Sequence, residues 1–555
     1  MGFVLYPSGY LSATEAHQRQ HQKAARSIHG RSETRGGHRT FLYQTGSIFL
    51  LIHQGILPHK NSSLSSHGPS TKRVYISVVT RKDYDAVVVG SGPNGLAAAI
   101  TLQKAGLSVL LLEAKSTIGG GLRTEALTLP YFIHDVCSAV HPLAAGSPFF
   151  QSLPLHDHGL EFIYPSLSLA HPFEDGAAAF ISPSIDTTAA SLGADGNAYR
   201  RLIEPVVTSW PCIIDDVLSP LHFPRHPFQM AHFGLTAIRS AAHVSKRFQT
   251  KEAKGLWAGV AAHSIQPLTN ATTAAIGMVL MASAHKVGWP IARGGSIAIG
   301  NALASYFTSL GGKIETNAEV RSLAQLPSVH AALFDVTPRQ LLKIAGPSLS
   351  SLYKWQLGRY RYGMGVFKID WALEGPIPFT APPCGDAGTV HLGNTFGEIV
   401  ASEQLTANGK HPQNPFVLLA QPSLFDRSRA PEGKHTAWAY CHVPNGSTVD
   451  MTERIEKQVE RFAPGFRDRI LHKHVMNAAQ LEAYNPNYIG GDINGGVIDA
   501  GQLFTRPALR FSPYKTSAKG IYICSSSTPP GGGVHGMCGY HAARRALKDV
   551  FSIQN

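Results

Sequence analysis

The stretch Tyr84–Glu113, YDAVVVGSGPNGLAAAITLQKAGLSVLLLE, predicts a strand, a glycine turn, a helix and a second strand. Asp85–Val89 is a short Val-rich run, typical of a parallel strand that is covered on both faces. Leu96–Ala105 is rich in Ala and Leu, and we expect a helix that ends at Gly106. Leu107–Leu112 is a second apolar run. This order of elements predicts a doubly wound α/β domain.

The turn carries the G-x-G-x-x-G pattern of dinucleotide-binding domains. Gly90 permits the tight turn, Gly92 lets the backbone approach a pyrophosphate, and Gly95 lets the helix pack close to the strand. The helix N-terminus then offers free N–H groups to the phosphates. Glu113 lies about 20 residues further on and can accept hydrogen bonds from a ribose, which favours FAD or NAD over NADP. The cofactor-binding candidates in the turn are Gly90, Gly92, Pro93, Asn94 and Gly95.

A second glycine turn follows Glu113 directly. Its glycines let the backbone approach a bulky ligand, and its arginine can neutralise phosphate. The cofactor-binding candidates here are Ala114, Gly119, Gly120, Gly121, Arg123 and Thr124. Position behind the ribose-binding acid favours a cofactor role over an ordinary glycine-rich loop.

Length and charge bound the class of protein. The chain has 555 residues, which is enough for two or three domains. Its net charge is +13. Residues 1–80 hold nine Lys and Arg and two acids, so they contribute +7 and leave only +6 for the remainder. We therefore expect no nucleic-acid partner, although a basic arm that binds an acidic partner stays an alternative.

Residues 1–80 differ from the rest of the chain and show no sustained periodicity. Their composition is compatible with an organellar transit peptide or with a basic, disordered extension, and we favour disorder because no amphipathic helix is evident. Cytoplasm and mitochondrial matrix both stay open as locations. No stretch reaches the roughly 18 apolar residues of a membrane span.

The six cysteines are scattered and form no C-x-x-C pair. The sequence thus predicts neither a disulfide framework nor a metal site, and argues against a disulfide reductase.

The segment EAKSTIGGGLRT, after VVVGSGPNGLAAA, resembles the phytoene desaturase-like flavoproteins, which share a two-domain fold with amine oxidases. The resemblance implies that Gly119–Thr124 contact the pyrophosphate and ribityl chain of FAD. An Asp and a His-Pro pair commonly follow in this family, and Asp135, His141 and Pro142 match them. The same resemblance implies that Val320 lies near the adenine.

A second glycine-rich signal lies in Gly520–Leu547, GIYICSSSTPPGGGVHGMCGYHAARRAL. We expect a buried strand at Ile521–Ser525, a turn at Pro529–Gly533 and a helix at Gly536–Leu547. In the family this unit closes over the flavin, which implies isoalloxazine-side roles. The candidates are Gly532, Gly533, Val534, His535, Gly536 and Met537.

One feature departs from the family. Many relatives insert a hairpin after the strand that corresponds to Lys313–Ser322, whereas here Leu323–His330 leads straight to AALFDVTP at 331–338. We therefore expect the hairpin to be missing. Its absence weakens the transfer of a specific activity but leaves FAD binding intact.

The intervening pieces predict a substrate domain. Residues 198–284 should be largely helical, and strands at 360–371, 416–421 and 436–443 should form one antiparallel sheet. Single polar side chains on such strands are more often structural, but three are candidates to face a substrate: His391, Tyr440 and His442. Within the helical region, Val217–Leu235 suits either a domain in solution or contact with a membrane surface.

The predicted fold is α/β: a Rossmann-type FAD-binding domain of the glutathione reductase-like, amine oxidase/phytoene desaturase type, with an interleaved α+β substrate domain. The FAD-binding pieces are 81–165, 289–345 and 481–555, and the substrate pieces are 166–288 and 346–480.

The predicted function is that of an FAD-dependent oxidoreductase. We expect a dehydrogenase or desaturase, or a saturase, that acts on a hydrophobic polyene or isoprenoid-like substrate, with oxygen or a quinone as electron acceptor. His141 and His535 are the catalytic candidates. A flavin-dependent isomerase, an amine oxidase-like enzyme and a non-enzymatic flavoprotein regulator stay open as alternatives, and the sequence indicates no oligomeric state.

Overall fold

A computed structural model describes residues 83–554, together with the backbone of four strands between 32 and 80. The chain divides into two units, Met1–Asp83 and Tyr84–Asn555. The strands of the first unit form an antiparallel sheet. The predicted disordered or transit segment at 1–80 falls largely outside the described residues and stays a prediction.

In chain order, the strands of the described part are β1 (Ser32–Arg35), β2 (His38–Thr45), β3 (Ile48–Gln54), β4 (Tyr75–Thr80), β5 (Ala86–Val89), β6 (Val109–Leu112), β7 (Thr124–Glu125), β8 (His134–Asp135), β9 (Phe162–Ile163), β10 (Leu167–Pro172), β11 (Ala178–Ile181), β12 (Ile291–Ala292), β13 (Lys313–Glu315), β14 (Ala331–Phe334), β15 (Gly365–Leu373), β16 (Ala387–Leu392), β17 (Val417–Ala420), β18 (His435–Val443), β19 (Ile470–Met476) and β20 (Ile521–Ile523).

The α-helices of the same part are α1 (Pro93–Lys104), α2 (Pro142–Gly146), α3 (Pro148–Gln151), α4 (Ile185–Ser191), α5 (Gly196–Thr208), α6 (Trp210–Val217), α7 (Pro227–Ala237), α8 (Ala241–Val244), α9 (Lys251–Ala261), α10 (Thr273–Lys286), α11 (Ile297–Ser309), α12 (Pro338–Ala345), α13 (Ser351–Gly358), α14 (Phe396–Ala407), α15 (Thr452–Phe462), α16 (Ala478–Tyr484), α17 (Ala500–Leu503) and α18 (Met537–Val550).

The first sheet is parallel throughout and has the order β13–β6–β5–β14–β20. Its strands come from three separated pieces of the chain, which are joined by the residues between them. The order reverses between β5 and β14, where a doubly wound sheet forms its ligand crevice. The predicted α/β class is confirmed; the domain boundaries stay predictions.

Both faces of this sheet are covered because successive side chains of a strand point to opposite sides. Ala86 and Val88 of β5 belong to the core that contains α1 and α18. Val87 and Val89 face the other way, into a core with Leu341 of α12 and residues of α13. Burial on both sides explains why β5 and β6 are short, uninterrupted apolar runs.

The second sheet has the order β11–β10–β16–β17–β18–β15–β19. The predicted antiparallel pairing of β15, β17 and β18 is confirmed. One pair differs from the prediction of an antiparallel sheet, because β10 runs parallel to β16. Residues 173–386 lie between these two strands and include the helical region and two strands of the parallel sheet, so the chain can return to the same end of the second sheet.

Helices α4–α10 form the predicted helical region. In the described stretch 316–330, no strand lies between β13 and β14, so the expected loss of the hairpin is confirmed. Among the helices of residues 83–554, none has the length and apolar character needed to cross a membrane.

Candidate functional site

The glycine turn lies where the strand order of the parallel sheet reverses. It connects β5 to α1, and Pro93 is the first residue of the helix. A Cβ at Gly92 would lie 2.7 Å from the Oδ2 atom of Asp335, so this position has no room for a side chain. The N-terminus of α1 faces the crevice, which is the arrangement that binds phosphate in doubly wound folds.

Asp335 is the residue that the sequence interpretation missed at this end. It follows β14, and its Oδ2 accepts a hydrogen bond of 2.9 Å from the Gly95 N–H. Burial, with a further contribution from nearby Glu113, raises the pKa of this carboxyl to about 7. Its position after the fourth parallel strand, at the reversal of strand order, is the signal that could have found it.

The Glu113 carboxylate already accepts four hydrogen bonds from within the protein. Its carboxylate accepts hydrogen bonds from Ser91 N (3.0 Å), Ser91 Oγ (2.5 Å), Lys115 N (2.9 Å) and Arg123 Nη2 (3.1 Å). An ionised carboxylate has about four acceptor positions, and all four are in use. Glu113 therefore joins the first glycine turn to Arg123, and its predicted ribose contact stays a prediction.

The second glycine turn lies directly against the first. Gly120 opens a short 3₁₀ segment, and a Cβ there would lie 3.0 Å from the Gly92 Cα. The Arg123 guanidinium is buried and lies over the Tyr484 ring, 5.7 Å from its centroid. Thr124 faces away and donates to the Asp135 carboxylate at 2.7 Å. The turn thus extends the site from the first glycine turn toward Tyr484.

The C-terminal glycine turn lines the same cavity as these two turns. Gly533 has φ of +120°, and a Cβ there would lie 2.8 Å from the Leu143 Cδ1. Helix α18 begins four residues later and packs against α1. The residues before and after Gly533 therefore bring one more helix N-terminus close to the crevice.

Both catalytic candidates are buried and hydrogen-bonded. The Nε2 atom of His141 lies 2.8 Å from the Ser296 Oγ. In His535, Nδ1 accepts from the Met537 N–H at 3.0 Å, and Nε2 lies 3.2 Å from the Gly531 carbonyl. Burial lowers the pKa of each imidazole to about 4. Neither is among the described residues that line the cavity, and their catalytic role stays a prediction.

One cavity of about 440 Å³ runs through the site. The predicted cofactor contacts that line it are Gly90, Gly92, Pro93, Asn94, Glu113, Ala114, Gly120, Gly121, Arg123, Val320, Gly533 and Val534. The predicted contacts that lie behind this lining are Gly95, Gly119, Thr124, Gly532, His535, Gly536 and Met537. The structure therefore brings three glycine turns from distant parts of the chain to one cavity.

The cavity continues to the second sheet. Strands β16, β17 and β18 present Thr389, Leu418, Ala420, Trp438 and Tyr440 to it. The helical region and the segment before β12 add His263, Leu280 and Trp289. Of all these residues, the sequence interpretation named only Tyr440. Successive side chains of β16, β17 and β18 point to opposite faces of the sheet, so the strand residues could have been predicted once the cavity-facing side was known.

The two other polar candidates lie behind this lining. His391 contacts the cavity residue His263, with 3.0 Å between their Nε2 atoms. His442 is buried and pairs through Nδ1 with Glu403 Oε2 at 2.7 Å. The structure thus places Tyr440 at the cavity and the two histidines one layer deeper.

Charge is confined to one end of the cavity. The charged side chains of its lining are Glu113, Lys115, Arg123, Glu319 and Asp335, all near the glycine turns. Among the described residues at the far end, none carries a charge at neutral pH, because burial lowers the pKa of His263 to about 3. The far end therefore suits an uncharged ligand.

The residues near the turns fit a dinucleotide. Asn94 Oδ1 and Thr337 Oγ1 border the cavity, are buried and find no hydrogen-bond partner within residues 83–554. Unmet buried polar atoms indicate a missing partner. In the part of the chain that the structure describes, no group of three or more His, Cys, Asp or Glu could hold a metal ion.

A doubly wound sheet whose glycine turn opens into a cavity shared with a second sheet is typical of a dinucleotide-binding protein. Residues 88–151 match the family model described as an NAD(P)-binding Rossmann-like domain. The chain is 26% identical over 577 positions to pyridine nucleotide-disulfide oxidoreductase domain-containing protein 2 of Mus musculus, covering 88% of this chain and 97% of that protein.

Two further likenesses extend over most of the chain. The lycopene-forming phytoene desaturase of Pseudescherichia vulneris is 21% identical, covering 83% of this chain and 98% of that protein. The structure of a redesigned putrescine oxidase matches with a TM-score of 0.57 at 16% identity, covering 84% of this chain and 99% of that one. These likenesses support an oxidoreductase that is similar to the phytoene desaturases and, in fold, to the amine oxidases, as the sequence motifs predicted.

Proposed function

We propose that this protein binds FAD and acts as a dehydrogenase or desaturase, or a saturase, on an apolar, uncharged substrate. The single observation that carries the proposal is the cavity, which joins three glycine turns to an uncharged, largely apolar chamber. A polyene or isoprenoid-like molecule fits that chemistry. The name of one relative, a lycopene-forming phytoene desaturase, supports the same substrate class.

FAD is favoured over NAD because the cavity extends beyond the β5–α1–β6 unit, to the C-terminal glycine turn and the second sheet. The phosphates would lie at the N-terminus of α1 with Arg123 nearby, and the ring system would lie toward Gly533 and Val534. A bound flavin would supply hydride or two-electron transfer to or from a C–H bond. The N-terminus of α18 would stabilise negative charge near that ring by about 0.3–1 kcal/mol.

The chain's own residues orient the substrate and exclude water. Leu280, Leu418 and Trp289 supply apolar surface around the chamber. None of the described residues at this end is charged. The substrate would therefore be bound by shape complementarity and by uncharged polar side chains such as Thr389, Trp438 and Tyr440. Electrons would leave to oxygen or a quinone, so the proposal requires no second nucleotide.

The amine oxidase alternative is less well supported by this chamber. An ammonium substrate is recognised by carboxylates or by an aromatic cage. Trp438 and Tyr440 instead stack side by side, with ring planes 14° apart, and the Lys368 ammonium already lies 5.8 Å from the Trp438 ring centroid. The Trp438 ring therefore already has a cation partner within the protein.

Anaerobic mixing of the purified protein with phytoene or retinol tests the proposal. Loss of the visible flavin absorbance on mixing supports a dehydrogenase, and its return when substrate is added to the reduced protein supports a saturase. Product that forms only after dithionite reduction, with no net change in the flavin, favours the isomerase. A flavin protein that responds in neither state supports the regulator, and a protein that retains no flavin contradicts the proposal.

We also propose contact with an anionic membrane surface through the α6–α7 region. Leu221, Phe223 and Phe228 are 76%, 84% and 86% exposed. Residues 217–247 contain four Lys and Arg and no acid. Apolar side chains flanked by positive charge are typical of interfacial segments.

Sedimentation with phosphatidylglycerol vesicles tests this contact. We expect F223S/F228S to lose most vesicle binding, while W355S, which changes an exposed aromatic residue on α13, retains it. Equal binding by both variants would contradict the contact.

A further inference from the structure

We propose that the substrate carries a neutral oxygen acceptor, a carbonyl or hydroxyl group, which is received between Thr389 and Trp438 on the cavity face of the second sheet. This inference rests on the proposed function and names a feature of its substrate. It distinguishes an oxygenated apolar molecule from a pure hydrocarbon.

The strand register places both groups in one row. Thr389 of β16 lies opposite Ala420 of β17, and Ala420 lies opposite Trp438 of β18. Strands are about 4.8 Å apart, so the two outer residues are separated by about 10 Å at their backbones. The alanine between them has a single methyl group, which leaves a hollow between a hydroxyl and an indole N–H.

Both groups lack a partner in the protein. Trp438 is 7% exposed and Thr389 is 5% exposed. The Trp438 Nε1 and Thr389 Oγ1 atoms are buried and form no hydrogen bond within residues 83–554. Both residues line the cavity. An indole N–H can only donate, so the missing partner at Trp438 must be an acceptor.

The other indole that lines this chamber is satisfied from within the protein. Trp289 lines the same chamber, and its indole N–H is satisfied by the Leu280 carbonyl and the Ser283 hydroxyl, both at 3.1 Å. The sequence thus satisfies one indole from within the protein and leaves the other, at Trp438, for a ligand.

Charge decides which oxygen would fit. Lys368 lies near the Trp438 ring, but its ammonium is paired with the Asp370 carboxylate. His134 and His474 lie within 3.7 Å and 3.6 Å of the same carboxylate. No cation is left for a substrate carboxylate among the described residues here, and none of the groups that line this row is acidic. A carbonyl or hydroxyl oxygen therefore fits better than a charged group.

Three probes with one carbon skeleton test the inference: farnesal, farnesol and farnesene. Binding to the flavin-loaded protein is followed by perturbation of the flavin spectrum and by quenching of tryptophan fluorescence. We expect farnesal and farnesol to bind about tenfold more tightly than farnesene, the effect of about one hydrogen bond. W438F and T389V should each reduce this preference severalfold, because they remove the N–H or the hydroxyl. T389V keeps the shape of the side chain, whereas W438F also removes one ring.

L418A is the matched control, because it removes apolar surface from the adjacent row. It should weaken all three probes alike and leave their ratio unchanged. Equal affinity of the wild type for farnesal and farnesene, or an unchanged ratio in both W438F and T389V, would overturn the inference. Neither result affects flavin binding, whereas a protein that holds no flavin would contradict the proposed function instead.

Thermal melting gives a test that needs no ligand. Replacing an unpartnered buried group by an apolar one of the same shape should leave Tm unchanged or raise it. T389V should behave in this way, because Val has the shape of Thr. A clear fall of Tm in T389V would mean that the Thr389 hydroxyl has a partner inside the protein, and this too would overturn the inference.

Discussion

The two sheets bring polar groups to the cavity by different means. At the parallel sheet, backbone N–H groups at the start of α1 face the crevice, and glycines remove the side chains that would fill it. At the second sheet, the polar groups that face the cavity belong to the side chains of Thr389, Trp438 and Tyr440. A backbone site depends on glycine spacing, which is local in sequence, whereas a side-chain site depends on strand register, which is not.

This difference between backbone and side-chain groups predicts which substitutions abolish cofactor binding and which only change the preference for a substrate. A Cβ in a glycine turn blocks the crevice itself, while a substitution on the second sheet changes one wall of the chamber.

The largest effect is expected from Gly92→Val. The new side chain would meet Asp335 Oδ2 at 2.7 Å and occupy space next to the phosphates. We expect protein that folds but retains no flavin, as judged by its visible spectrum after purification. Gly358→Val, at an exposed glycine with nothing within 4 Å of its Cβ position, is the control and should keep its flavin. Normal flavin content in G92V would refute the assigned crevice.

Buried ion pairs allow a direct comparison of the two ends. R123M leaves the Glu113 carboxylate without its cation, and loss of one partner of a buried pair destabilises by about 3–5 kcal/mol. K368M should cause a smaller loss, because the His134 and His474 imidazoles remain beside the Asp370 carboxylate. Urea unfolding measures both values. Equal losses would show that the two pairs are equally dependent on their cation.

Asp335 makes stability of the cofactor-free protein depend on pH. Its carboxyl has a pKa raised from 3.8 to about 7, so the folded state binds more protons than the unfolded state between these values. Stability should therefore fall as pH rises from about 4 to about 7, and the loss is complete above that. The titratable groups that face it are Glu113, Cys524 and Cys538.

Asp335→Asn should remove this part of the pH dependence, about 2 kcal/mol between pH 5 and pH 8 in urea unfolding. D370N, on the second sheet, is the comparison. The pKa of Asp370 is lowered, so its contribution is already present in this range and is lost only at lower pH. A D335N profile parallel to that of the wild type would contradict the assignment.

The smallest effect is expected at the hollow between Thr389 and Trp438. A420L fills that space and should weaken farnesal binding about tenfold while flavin content stays normal. Loss of flavin as well would mean that the two ends of the cavity are not independent.

The fold was largely predictable because its signals are local. The first strand and helix were predicted to within a few residues. The parallel pairing of β10 with β16 was not, because it joins strands separated by more than two hundred residues.

The site was predictable only in part, for the same reason. Gly92, Gly120 and Gly533 lie at the cavity, as their motifs implied. Asp335 and Trp438 were missed, because nothing near them in sequence marks which strand end or strand face meets the cavity. His141 was favoured by its place in a motif, yet its ring turns to Ser296.

The contact of α1 with α18 sets the order in which this protein can be completed. Residues 105–536 separate the two helices, and translation at about 5–20 residues per second needs roughly 20–90 s to make them. During that interval the apolar surface of α1, with Ala97 and Ala98, has no covering helix from α18. The core around α1 can therefore be completed only after α18 has been synthesised, and the cavity that the three glycine turns share is formed late.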